Sequence, residues 1–458
     1  EVGGSCQSVD TGRSRFIVDC GAMGSGGQEV FPADLDRYSF LILTHAHSDH
    51  CGLVPELFEK GFRGRVYCTP PTAALVPVML RMARSFSREK VSKENFDRAL
   101  ESIVPVEYGR TVTEDDVSFT FREAGHLLGA AFVEIDMESD TGPVRVVFSG
   151  DLGSGSSVLL ESLKRCDRAD YVVIESTYGG RSRNITETDP FGMHDGFIVA
   201  AGEALRRGGD VLVPAFTLGR TQEIIAVLQL GLSRGMIPAG TLIYSDSPTA
   251  NRITRIYRES GRFLGDRQRE AFGGALLAPT GLREVRSRTS MKVHDREHVP
   301  SVFISSSGDL EHANSPRHLV RMCKDPRNLL CLVGWQPPGS VGYELEHGVD
   351  PVLIRHREGN VTEKDWISPV IEVKRFDSFS GHADQNGLVE WLASIEGVRR
   401  VFIVHGEPGQ AEALADRIEE ELGTAAVVPR PGEPCRLAPV SSRSTDEDSL
   451  RARSAGGR

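Results

Sequence analysis

The run Phe40-Leu41-Ile42-Leu43-Thr44-His45-Ala46-His47-Ser48-Asp49-His50 constrains this chain more than any other segment. An apolar strand ends and at once delivers three imidazoles and a carboxylate within six residues. In an extended chain alternate side chains share a side, so His45 and His47 point together, and a turn after Ser48 brings Asp49 and His50 to a neighbouring position. Two adjacent metal ions could be served. Nitrogen and oxygen donors without thiolate suit zinc first, with iron or manganese as the alternatives. The plain competing reading is a polar surface loop, but with 13 histidines in 458 residues such a cluster is a rare coincidence.

One cluster cannot complete two coordination shells, so further ligands belong at other strand ends. Gly125-His126 follows the strand-like run Val117 to Phe121, and Ser149-Gly150-Asp151 follows Val144 to Phe148. Glycines there let the backbone turn sharply next to an ion. Asp151 has two oxygens and can bridge both metals. Taken singly, His126 reads as a structural histidine and Asp151 as a turn or capping residue. The neighbouring histidine run reverses that reading.

A length of 458 residues, at about 150 per domain, predicts roughly three domain-sized units or two with insertions. Hydrophobic residues at 39% and charged residues at 26% exclude a disordered chain. No apolar run reaches the roughly 18 residues of a membrane helix; Ile224 to Leu232 is among the longest, and Gln229 and Gly231 interrupt it. The start Glu1-Val2-Gly3-Gly4-Ser5-Cys6 has no signal-peptide character, and the eight cysteines are scattered without a CxxC pair, so a reducing, cytoplasmic setting is expected. The balance of 53 basic against 64 acidic residues, net -11, argues against nonspecific polyanion binding while leaving room for a local basic cleft.

Strand candidates in the first third are Arg15 to Val18, Phe40 to Leu43, Arg65 to Cys68, Val117 to Phe121, Phe132 to Ile135 and Val144 to Phe148, with helical spacing over Pro71 to Ser85 and Lys93 to Ile103. An αβ sandwich fits. Tyr171 to Ile174 reads as a strand buried on both faces, ending in Glu175. From about 178 to 381 a second pattern (Asp210 to Val213, Thr241 to Tyr244, Val302 to Ile304, Leu329 to Val333) predicts a separate parallel-sheet α/β domain. Val370 to Val373, a helix over Gln385 to Ser394, the strand Val401 to Val404 and a helix over Gln410 to Glu421 follow, and residues 438–458 read as a disordered tail.

At this point the chain resembles a metallo-β-lactamase-fold hydrolase of the β-CASP family over about residues 1 to 437. His45-x-His47-x-Asp49-His50, His126 and Asp151 match the fold's ligand motifs. Glu175-Ser176-Thr177-Tyr178-Gly179-Gly180-Arg181 resembles motif A, Ser380-Gly381-His382-Ala383-Asp384 motif B, and Val404-His405-Gly406-Glu407-Pro408 motif C. Val213 to Glu223, Ser305-Ser306-Ser307-Gly308 and Val333 to Gly339 resemble signatures of the inserted domain. The family includes the polyadenylation-factor and Integrator endonucleases and their bacterial relatives. The resemblance implies an αββα metallo-β-lactamase sandwich in two parts, 1–177 and 382–437, with a β-CASP domain, 178–381, inserted as a cap.

It also implies His405 as the last metal ligand. Histidine at motif C is usual in RNA-directed members and valine in DNA-repair members, which favours RNA as partner. The implied chemistry is RNA phosphodiester hydrolysis by a hydroxide shared between two zinc ions, with manganese or iron as alternatives. One ion falls to His45, His47, His126 and Asp151, the other to Asp49, His50, Asp151 and His405. His382, oriented by Glu175, protonates the leaving 3′ oxygen. Arg181, Arg183, Arg220 and the Ser305, Ser306, Gly308 loop are candidate phosphate contacts. A homodimer is a family-level expectation. Three features depart from the pattern: Ser48, Cys51, and Tyr343, where many relatives carry arginine. Competing readings are a small-ester or thioester hydrolase on the same fold, a noncatalytic scaffold, and a DNA-directed nuclease.

Overall fold

In the computed structural model, residues 4–22, 31–84, 91–139, 142–183, 189–285, 299–358 and 361–437 are described. The apolar stretch ahead of the histidines forms the fully buried strand Phe40–Ile42, at the middle of a five-stranded sheet. Its neighbours Arg15–Val18 and Arg65–Cys68 run parallel to it, and Gln7–Asp10 and Ile103–Pro105 form the edges. Alternation sends Phe16, Val18, Phe40 and Ile42 to one face and Ile17, Leu41 and Val66 to the other. The first set meets Phe119, Phe121, Ile135 and Val146 of a seven-stranded sheet. The Phe40 ring lies 5.0 Å from Phe16 and 5.7 Å from Phe119, across the sandwich. Helices cover the outer faces, Val54–Glu59 and Pro70–Arg84 on the first sheet, Gln385–Ala393 and Pro408–Leu422 on the second.

In the seven-stranded sheet Tyr171–Glu175 lies between two parallel neighbours, Gly142–Phe148 and Arg400–Val404. The chain therefore leaves this sheet after Glu175 and re-enters it beside the same strand. The intervening residues build a six-stranded sheet in the order Leu282–Glu284, Leu242–Asp246, Ser301–Ser305, Val211–Pro214, Leu329–Leu332, Glu372–Arg375, with every pairing parallel. Parallel pairs need crossover connections. The helices Arg220–Ser233, Pro248–Glu259 and Ser315–Met322 lie in those connections, and Asp195–Arg206 leads into the first of the six strands along the chain. An antiparallel hairpin, Val352–Glu358 with Val361–Ile367, packs on Ser315–Met322 and on the short helix Val341–Glu346.

Most expected elements are present, and the differences have physical reasons. The helix expected to Ile103 stops at Glu101, and Ile103 opens an edge strand paired with Val66. Its β-branched residues gain more from the sheet ladder than from another helical turn. The strand expected at Val370 to Val373 forms at Glu372–Arg375, because the Val370 and Ile371 amides donate to the Cys323 carbonyl before the ladder begins. Ser85, residues 1–3 and the tail 438–458 lie outside the described residues. Among those described, no helix is long and apolar enough to cross a membrane.

Candidate metal centre

The site is assembled at the carboxyl ends of strands from both sheets, where side chains leave the ladders and converge. After Phe40–Ile42 the chain leaves the sheet and bends at Thr44, and His47, in an extended conformation, precedes the one-turn helix Ser48–Cys51. That turn presents Asp49 and His50 beside His45 and His47. His126 sits between the paired strands Val117–Glu123 and Ala131–Ser139, Asp151 follows Gly142–Phe148, and His405 follows Arg400–Val404. Gly150 has φ 51°, and a Cβ there would lie 2.7 Å from the Thr44 Cβ. Glycine lets the Asp151 loop press against the His45 strand end.

The donor atoms form two groups, His45, His47, His126 and Asp151 in one and Asp49, His50 and His405 in the other, with Asp151 reaching members of both. Oδ2 of Asp151 lies 3.4 Å from His45 Nε2 and 3.6 Å from His126 Nε2. His47 Nδ1 completes this group, 3.2 Å from His45 Nε2 and 3.1 Å from His126 Nε2. Oδ1 of Asp151 faces the other way, 3.2 Å from His50 Nε2 and 3.7 Å from His405 Nε2, and Asp49 Oδ2 is 3.7 Å from His405 Nε2. Such spacings match the edge of about 3.4 Å expected for a tetrahedron of ligands about 2.1 Å from a zinc ion.

Hydrogen bonds on the far side of each ring set the tautomers. His126 Nδ1–H donates to the Gly381 carbonyl at 2.9 Å, leaving the Nε2 lone pair for the cluster. Thr44 Oγ donates to Asp19 Oδ2 at 2.8 Å and accepts from His45 Nδ1–H at 3.1 Å. His50 Nδ1–H donates to Asp19 Oδ2 at 2.7 Å. Its Nε2 then aims a lone pair at the Asp151 carboxylate, and both atoms, His50 Nε2 and Asp151 Oδ1, are buried without a hydrogen-bond partner. Lone pair facing anion is repulsive unless a proton or a metal cation sits between them, and the surrounding nitrogen and oxygen donors fit a metal ion. Ser5 Oγ lies 2.9 Å from His405 Nδ1. Asp19, Ser5 and Thr44 thus support the ligand rings from outside the histidine and aspartate motifs. Asp19 carries a signal, a carboxylate one residue past a strand end; Ser5 carries none.

The electrostatics agree. Burial, reinforced by neighbouring imidazoles, pushes His47 down to about 3 and His126 well below the usual value, keeping both neutral as ligands must be. Burial works against charge on Asp49 and Asp151, but His50 and His405 outweigh it and hold both carboxyls below their ordinary range. Burial likewise opposes charge on His50, yet Asp151 and Asp19 on its two sides lift it well above the ordinary value. Positive charge is demanded at that position, from a proton or from a metal.

Glu175 is fully buried at its strand end, accepting from the Leu152 amide at 2.7 Å and contacting His382 Nδ1 at 3.1 Å. His382 lies against His126, with ring centroids 4.5 Å apart. Burial lowers its pKa, but the Glu175 carboxylate, with smaller help from Asp151 and Asp49, raises it to about 9. Nε2 is its remaining ring nitrogen.

The candidate phosphate contacts lie on the inserted domain's side. Ser305 ends its strand, and the Ser305 and Ser306 hydroxyls are buried without a hydrogen-bond partner, as is Arg220 Nε. Burial lowers Arg220 to about 10. Gly308 accepts from Gln336 Nε2 at 3.2 Å, with the half-exposed Phe216 ring beside its Cα. Arg183 donates to the His382 carbonyl at 2.9 Å, and the exposed Arg181 lies 5.8 Å from the Tyr178 ring centroid. Gly219, which opens the Arg220–Ser233 helix, approaches Leu127, next to His126. The inserted domain thus borders the histidine cluster.

Comparison with known proteins bears on the same segments. The metallo-beta-lactamase superfamily profile matches residues 2–215, the Beta-Casp domain 221–345, and the Zn-dependent metallo-hydrolase RNA specificity domain 368–429. Ribonuclease TTHA0252 of Thermus thermophilus is 35% identical over 423 residues, spanning 90% of this chain and 93% of that protein. Transcription termination factor FttA of Methanocaldococcus jannaschii is 28% identical over 447 residues, 94% of this chain and 69% of the relative. A crystal structure of a protein of unknown function from Enterococcus faecalis shares the fold, with a TM-score of 0.53 at 12% identity, covering 94% of this chain and 96% of that one. With the αββα sandwich, the inserted parallel-sheet domain and the His/Asp cluster in place, this chain belongs to the β-CASP family of metallo-β-lactamase-fold hydrolases.

Proposed function

We propose that the protein hydrolyses RNA phosphodiester bonds at a centre of two zinc ions, with manganese or iron as substitutes. The observation that carries this reading is the division of Asp151, one oxygen facing His45 and His126 in the group that His47 completes, the other facing His50 and His405, which cluster with Asp49. Ions held there would supply an activated water and neutralise charge on the phosphate. RNA as substrate is supported by the RNA specificity profile, by the ribonuclease among the relatives, and by histidine rather than valine at position 405. The working units are 1–177 with 382–437 as the catalytic sandwich and 178–381 as the cap.

The chain's own residues do the rest. His382 donates a proton to the leaving 3′ oxygen, giving 5′-phosphate and 3′-hydroxyl ends. Its ring is held by Glu175, whose carboxylate keeps it protonated near neutral pH. Ser305, Ser306, Gly308, Arg181 and Arg220 position the scissile strand, and the unpartnered Ser305, Ser306 and Arg220 atoms suit phosphate oxygens.

Incubation of the purified protein with end-labelled RNA and matched DNA tests the reading. RNA cleavage is expected, and hydrolysis of a small ester with neither nucleic acid cut would replace it. His382→Ala should retain metal while turnover falls about 10²- to 10⁴-fold. Asp49→Ala or His50→Ala should lose metal as well, by elemental analysis. Equal metal loss in all three would remove His382 from the acid role.

A further inference from the structure

The hairpin Val352–Glu358/Val361–Ile367 has two faces of opposite character. Val352, Ile354 and Ile367 turn inward and join Leu319, Val341 and Leu345 in a buried cluster. On the same inward side His356 contacts Asp365 at 2.6 Å and Glu363 at 3.9 Å, so the hairpin's described acids are engaged there. The register pairs Arg355 with Lys364, Arg357 with Thr362 and Leu353 with Trp366, all on the outward face.

That face is unfavourable as it stands. Arg355 and Lys364 are directly opposed like charges, an arrangement that destabilises an antiparallel pair. Among the described residues Arg355, Arg357 and Lys364 have no ion-pair partner, in a chain of net charge -11 with carboxylates to spare. Beside them the Trp366 side chain is 67% exposed. Cations alone would read as a solvated face, and a lone tryptophan as an ordinary surface residue. Together they match what a single-stranded nucleic acid requires, cations along the phosphates and an aromatic ring on which an unpaired base stacks. The hairpin is also linked through one helix to the loop that carries Ser306 and Gly308. It packs on the helix Val341–Glu346, whose first amide, Val341, donates to Glu311 at 2.8 Å in the loop that follows Ser301–Ser305.

We propose that the outward face of this hairpin, through Arg355, Arg357, Lys364 and Trp366, is a docking surface for single-stranded RNA outside the metal centre. It rests on the reading that RNA is the substrate, and holds a part of the strand remote from the scissile bond.

The test compares the full chain with Arg355→Gln/Lys364→Gln and with Trp366→Ala, using a long unstructured RNA, a short RNA carrying the same cleaved sequence, and a duplex of the long one. Binding is read by fluorescence anisotropy and cleavage separately. The long RNA should bind about tenfold more weakly to each variant. The double variant should also show a salt slope reduced by roughly 1.4, about 0.7 for each lost phosphate contact. The short RNA should be cut at the unchanged rate, and Trp366→Ala should leave duplex binding unaltered. Removing opposed charges should keep or raise the thermal midpoint, which a structural role for the pair would not do. Unchanged long-RNA affinity in both variants overturns the proposal, including where the variants instead alter self-association or binding of an acidic polypeptide. Wild type that binds long RNA through this face yet cleaves none would refute the catalytic reading and leave the surface standing.

Discussion

Asp19 is faintly marked in the chain and plainly important in the fold. It lies one position past Arg15–Val18 with φ 59°, fully buried, accepting from the Thr44 amide and hydroxyl and from His50 Nδ1. By fixing that ring it aims Nε2 at Asp151. Asp19→Ala should weaken metal affinity by about 10- to 100-fold, measured by competition with a chromophoric chelator, with the backbone fold retained. The histidine run was legible because donor type and spacing are local properties of a sequence. Asp19 was not, since a lone carboxylate after a strand is far more often a turn residue. His405 required the family resemblance, since nothing in its own surroundings separates it from other histidines.

At the scale of elements, the loops after Val117–Glu123 and Gly142–Phe148 must touch for His126 and Asp151 to share a site. A Cβ on Gly153 would fall 2.1 Å from the Gly125 carbonyl oxygen, and the Gly153 amide donates to Ala124 at 2.7 Å. Gly153→Ala should therefore part the two loops, costing about 1–3 kcal/mol of stability. A lowered urea midpoint together with reduced metal content would register it, whereas lost stability with full metal content would mean the loops adjust without moving the ligands. Strands with continuous apolar runs were readable along the chain. The hairpin was not, because only alternate residues such as Val352 and Ile354 are buried, and Arg355-His356-Arg357 breaks the apolar pattern.

For the whole molecule, the joint between sandwich and insertion is polar and buried. His194 contacts the Ser156 carbonyl through Nε2 and the Ser378 hydroxyl through Nδ1, each at 3.1 Å, and Glu223 accepts from Ser157 and Val158. Burial lowers His194 to about 4. The unfolded chain takes up its proton near pH 6.5 and the native state resists until about 4, so stability is full above the first value and falls as pH drops through that window. The loss is on the order of 3 kcal/mol. His194→Gln should flatten the dependence of the urea midpoint between pH 7 and 4 in metal-free protein, and an unchanged slope would place the acid sensitivity elsewhere. By itself the sequence determined the donor chemistry and the strand-then-turn order of the ligands, because both are written in neighbouring residues. Tertiary structure decided the rest. Ser5 and His405, 400 residues apart, meet because separate sheets pack face to face, and Arg355 faces Lys364 because of strand register. Such convergence depends on sheet order and burial across the whole chain, which no local pattern records.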